Sequence, residues 1–211
     1  MREAAGEHHY RRIPLRVGLT MGLVADIYNT QTLKNLTGSM AIGHNRYSTA
    51  GGQDLKNVQP LTVNFAFGNL ALAHNGNLIN AQVLRNELEA YGAIFQSTSD
   101  SEVIIHLIAH SRADTLLARI IDALSQVRGA FSVVLLTDDG IIAARDPHGF
   151  RPLSLGRLRD TYLVASETCP RARPKTSGRM RWPSRPSISS NLPSRNSVRC
   201  CCNQDFRSKR K

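Results

Sequence analysis

No cysteine precedes Cys169 in this chain of 211 residues; the four present are Cys169, Cys200, Cys201 and Cys202. Three adjacent cysteines lack the Cys-x2-Cys spacing of a zinc site, and no disulfide framework is visible. No apolar run approaches the ~20 residues of a membrane span. The opening residues, Met-Arg-Glu-Ala-Ala-Gly-Glu-His-His, lack the apolar core of a secretory signal. Together these absences predict a soluble, cytoplasmic chain with no membrane partner. Acidic residues are missing in one region only. Residues 170–211 hold 12 Lys and Arg against a single acid, Asp205, whereas residues 1–169 hold 15 of each sign. The net charge of +11 therefore resides in the tail. The remainder has no basic field to steer a polyanion, and no nucleic-acid partner is expected for it.

What is present has a clear order. Residues 1–20 show no period and stay unassigned. Residues 21–28 read as a short apolar strand or entry segment. Asn29 can cap a short helix carrying Leu33 and Leu36 and closed by Gly38. Residues 40–47 read as a strand and residues 48–57 as a polar loop. Residues 61–65 and 70–73 read as strands joined across Phe67-Gly68-Asn69. Asn75-Gly76, after an apolar run, carries the signature of a turn. A helix follows, with Asn80 as its cap, Val83, Leu84, Leu88 and Tyr91 at helical spacing, and Gly92 at its end. Two more helices are read over 102–110 and 114–127. Residues 130–136 and 141–144 read as strands around Asp138-Asp139-Gly140. Residues 145–152 form a loop, and residues 153–158 and 162–166 a last hairpin. Hairpin strands with helices grouped between them predict an α+β fold. Residues 170–211, rich in Arg, Ser and Pro, cannot bury enough apolar surface to offset their ordering entropy, and a disordered basic tail is expected.

Few residues offer chemistry. Asn75 and the Gly76 amide can stabilise an oxyanion in acyl transfer, and glycine admits a close approach of substrate. A hairpin turn is the bland alternative. Arg46 can hold a carboxylate through two parallel hydrogen bonds; a solvated surface arginine is the alternative. Asp100 can pair with an ammonium, or simply cap a helix. Together they fit a free α-amino acid whose side-chain carbonyl is attacked, and glutamine meets that description. His106 and His110 stand one helical turn apart, but no third ligand is evident and no metal is expected. His148 reads as a residue that shapes its loop.

Residues 43–51 (Gly-His-Asn-Arg-Tyr-Ser-Thr-Ala-Gly), 73–78 (Ala-His-Asn-Gly-Asn-Leu), 95–102 (Phe-Gln-Ser-Thr-Ser-Asp-Ser-Glu) and 145–153 (Arg-Asp-Pro-His-Gly-Phe-Arg-Pro-Leu) resemble the glutaminase domain of the amidophosphoribosyltransferase family. The resemblance covers residues 21–169. It implies the αββα sandwich of N-terminal-nucleophile hydrolases, the class II glutamine amidotransferase type, here lacking its first strand. It implies that Arg46 holds the glutamine carboxylate, that Asp100 holds the ammonium, that Thr49 lines the pocket, and that Asn75 and Gly76 form the oxyanion hole. The family's nucleophile is an N-terminal cysteine, and Arg2 follows Met1 here. Its phosphoribosyltransferase domain, which uses Mg2+, resembles nothing in residues 170–211. The expectation is thus a partial glutaminase domain, inactive by itself, with no cofactor of its own. A frame-shifted or mis-predicted reading frame would explain both ends. The resemblance allows a homo-oligomer. The alternatives are a fragment of another class II amidotransferase, or a non-enzymatic protein whose basic tail binds nucleic acid.

Overall fold

The computed structural model describes residues 15, 16, 18, 29–36, 38–45, 55–158, 160–167 and 198–201. Helix α1 spans Thr30–Lys34, and the Asn29 side chain caps it by accepting from Gln31 N and Thr32 N, as its sequence predicts. Residues 40–45 form no strand. Leu55–Asn57 make one 3-10 turn.

The central sheet begins with β1, Leu61–Phe65, and β2, Gly68–Leu78. Phe65 pairs with Gly68, so the reversal is made by Ala66 and Phe67. The predicted strand at 70–73 is therefore too short, and the turn predicted at Asn75-Gly76 does not exist. β2 runs through both residues, because β3, Gly129–Thr137, supplies a partner for every residue from Leu70 to Leu78. Nine paired residues outweigh a local turn preference. Gly76 is required there by space as well: a Cβ on it would lie 2.1 Å from the Ala130 carbonyl oxygen.

Helices α2 (Ala81–Ala90), α3 (Ser101–His110) and α4 (Leu116–Gln126) lie between β2 and β3 in the chain. Strand β4, Ile141–Arg145, follows β3 in a hairpin. Alternation along the strands gives the sheet one large-apolar face. Leu70, Leu72 and Leu78 of β2, Phe131, Val133 and Leu135 of β3, and Ile142 of β4 join Val103, Ile104, Leu107 and Ile108 of α3 in a single core. Each such side chain, once buried, contributes roughly 1.5–3 kcal/mol. The opposite face carries small buried residues, Ala71, Ala73, Ser132 and Ala143.

Strands β5 (Ser154–Leu158) and β6 (Thr161–Ala165) form a separate two-stranded sheet, close to the predicted hairpin. Strand β7, Val198–Cys201, pairs in parallel with β4. This corrects the expectation of a wholly disordered tail: the free edge of β4 offers backbone donors and acceptors that a short stretch beginning with a β-branched residue can satisfy. The other residues of 170–211, like the segments 1–14 and 21–28, lie outside the described residues.

Candidate active site

The hydrogen-bond alternation of β2 decides what Gly76 can do. Ile79 N donates to Arg128 O at 2.8 Å, and Asp146 N donates to Phe131 O at 2.8 Å. Combined with the register, these bonds turn the backbone of residues 75, 77 and 79 toward β3 and that of 74, 76 and 78 toward the other edge. There β1 covers β2 only as far as Leu72. Side chains take over beyond it. Gln59 Oε1 accepts from His74 N at 2.6 Å, His44 Nε2 lies 3.1 Å from His74 O, and Asp100 Oδ2 accepts from Leu78 N at 3.0 Å. The exposed Gly76 stands between them, and no described residue accepts from its N–H.

The Asn75 side chain lies on the small-residue face. Its Nδ2 donates to Ser166 Oγ at 3.0 Å, and its Oδ1 accepts from Arg151 Nη2. One amide donor and one backbone donor thus come from adjacent residues.

Asp100 precedes α3 but does not cap it through its side chain. Its carboxylate instead reaches Leu78 N, accepts from Ser101 Oγ at 3.3 Å, and lies 3.7 Å from His74 Nδ1. Ser99 Oγ accepts from Ser101 N at 3.3 Å in its place. The loop that presents Asp100 is held from both sides. Glu102 accepts from Gln96 N and Ser97 N, each at 2.8 Å, and from Ser97 Oγ at 2.6 Å. Asn57 exchanges bonds with Thr98. Burial raises the Glu102 pKa, but these three hydrogen bonds outweigh it and hold the carboxyl below its ordinary value.

Beneath the strand lies a buried polar node. His74 Nδ1 is 2.8 Å from Ser101 Oγ, to which Gln59 Nε2 also donates at 3.2 Å. His74 Nε2 is buried and has no partner among the described residues. Burial lowers the His74 pKa, reinforced by His44 and Arg151 and opposed by Asp100, which favours the neutral ring.

Of the predicted site residues, Asn75, Gly76 and Asp100 therefore lie along one strand end, tied through Leu78. Arg46 and Thr49 lie outside the described residues. Sequence reasoning missed Gln59, Ser101, Glu102, Asp146, Arg151 and Ser166 as supports. The Ser99…Glu102 spacing is a capping-box pattern that could have drawn attention to Glu102. The His106 ring packs tilted against Phe95 with centroids 4.2 Å apart, and His110 lies 5.6 Å from Tyr91, so both occupy helix-surface contacts. Among the described residues, no three His, Cys, Asp or Glu group to hold a metal ion. No described helix is long and apolar enough to cross a membrane.

Antiparallel hairpins backed by a helical layer make an α+β fold. Residues 44–170 match the family described as Glutamine amidotransferase domain, and the chain belongs to that family, with its N-terminal-nucleophile hydrolase fold. Within it, the resemblance is to amidophosphoribosyltransferase. Amidophosphoribosyltransferase 2, chloroplastic, of Arabidopsis thaliana is 51% identical over 150 residues, covering 71% of this chain and 27% of its own length. Amidophosphoribosyltransferase of Bacillus subtilis (strain 168) is 48% identical over 149 residues, covering 70% of this chain and 31% of its own. The solved glutamine phosphoribosylpyrophosphate amidotransferase from B. subtilis, complexed with ADP and GMP, has a TM-score of 0.65 at 46% identity over 70% of this chain and 32% of that one. A structure described as the allosteric regulatory enzyme of purine biosynthesis has a TM-score of 0.67 at 48% identity, covering 70% of this chain and 32% of that one. The chain thus spans about 30% of the length of such relatives.

Proposed function

We propose that this domain binds glutamine and stabilises the oxyanion that forms at its side-chain amide. Asn75 Nδ2 and the Gly76 N–H are the donors, Asp100 receives the substrate ammonium, and Arg46 and Thr49 complete the pocket. The observation that carries this reading is the exposed Gly76 N–H, from which no described residue accepts, between two side-chain-capped neighbours on β2. A preformed donor at the position where charge develops needs no reorganisation during reaction. The neighbouring Asp100 carboxylate keeps oxygen capacity beyond Leu78 N for a cation.

Delivery of ammonia to phosphoribosyl pyrophosphate, with Mg2+ in a transferase domain, is our proposal for the protein to which this domain belongs, by analogy with relatives named for that reaction. We place that protein in the cytoplasm; plant relatives carry the word chloroplastic in their names, so the compartment varies among them.

The chain has no cysteine before Cys169, so the decisive test is binding rather than turnover. Titration calorimetry of the 211-residue chain with L-glutamine is expected to give millimolar binding. Asp100→Ala should weaken it about tenfold or more, the scale of one lost ionic hydrogen bond. Absence of heat at saturating glutamine would overturn the proposal.

A further inference from the structure

The Asn75 amide is gripped at its oxygen. Arg151 donates from Nη2 to Asn75 Oδ1, while Asn75 Nδ2 faces Ser166 Oγ. A guanidinium has donors only, so the amide atom that meets it must be the carbonyl oxygen. An amide flip would set NH2 against a cation and lose a charge-assisted bond. We propose that Arg151 is the positioning residue of the oxyanion hole: it locks the Asn75 amide so that Nδ2 is the donor presented to substrate. The assignment rests on the oxyanion role given to Asn75 above.

Arg151 is itself built in. Asp146 Oδ2 accepts from Arg151 N and Asp146 Oδ1 from Phe150 N, each at 2.9 Å. Asp146 is 2% exposed, and its own N–H is bonded to Phe131 O, so the loop hangs from β3. Glu167 Oε1 lies 3.8 Å from Arg151 Nη2. A cation at the oxygen end also polarises the amide and strengthens its N–H as a donor. Lysine would place a point charge there without the planar fork that fixes direction. Arg151 Nε and the cross-strand neighbour Ser132 Oγ are buried without a described partner, which leaves hydrogen-bonding capacity beside the same amide.

The test follows the Asn75 side-chain NH2 signals by 15N NMR, together with glutamine calorimetry, in wild type, Arg151→Met and Arg151→Lys. In Arg151→Met both Asn75 Hδ shifts should move to random-coil values as the side chain samples other χ2 rotamers. The contact to Ser166 should vanish, and glutamine affinity should fall about tenfold, the size of one oriented donor lost. Arg151→Lys should recover part of both. The backbone spectrum remote from residues 75, 132, 151 and 166 should stay unchanged. A folded Arg151→Met with wild-type Asn75 signals and affinity would overturn the assignment. Should that variant not fold, Asn75 signals in Arg151→Lys identical to wild type would do so. If wild type binds no glutamine, the proposed function fails, and the Asn75 signals still decide whether Arg151 orients the amide.

Discussion

Gly76 and Gly129 mark where β2 and β3 approach too closely for side chains. A Cβ at Gly76 would also lie 2.7 Å from Phe131 Cα, and one at Gly129 would lie 2.2 Å from Asn77 O. Backbone on both sides leaves nothing flexible to yield. Gly76→Ala is expected to destabilise the fold by about 2 kcal/mol or more, read from urea unfolding. Asp146 tests the loop behind Asn75. Burial raises its pKa, but backbone N–H groups, that of Arg151 foremost, outweigh this and hold the carboxyl below its ordinary value. Its stabilising effect is therefore complete above about pH 4 and fades as pH falls through the depressed folded value. Asp146→Asn should cost about 2 kcal/mol at pH 7 and flatten the stability profile below that point. His74 runs in a higher range. Its folded pKa is lowered, chiefly by burial. The unfolded chain thus binds the extra proton first, and stability falls as pH drops below about 6.5. Unfolding of His74→Gln across this range should show a shallower slope.

At the scale of elements, sequence reading succeeded where burial repeats with a short period. β1 matches at both ends, and α3 and α4 match within two residues, because their apolar residues follow the strand or helix period and their caps are local. Thr115 accepts from Ala118 N at 3.2 Å, and Thr115→Ala should lower stability by about 1 kcal/mol, seen as a shift in the urea midpoint. Reading failed where a distant partner decides. Asn75-Gly76 looks like a turn locally and is a strand because β3 lies beside it. Asn80, expected to cap α2, makes no side-chain cap bond. It accepts from Arg128 N at 2.8 Å and donates to Gln126 O at 2.9 Å, tying α2 to the end of α4. Asn75, Gly76 and Asp100, the described residues the sequence singled out, lie along one strand end. Their supports were not legible, since the Arg151 and Ser166 contacts span 76 and 91 residues and leave no local pattern.

At the scale of the molecule, the charge is divided more sharply than the fold. Residues 1–169 balance 15 acids against 15 Lys and Arg, and the whole excess follows. Filter binding of an RNA oligomer to the full chain is expected to show no retention at physiological salt; retention with a steep salt slope would assign the tail a polyanion partner. The other whole-chain property is order in time. Asn75 is synthesised long before Arg151 and Ser166, whose side chains hold its amide. A nascent chain stalled at residue 145 would carry Asn75 without either side chain that holds its amide, so that amide is fixed only once the β5–β6 hairpin has left the ribosome.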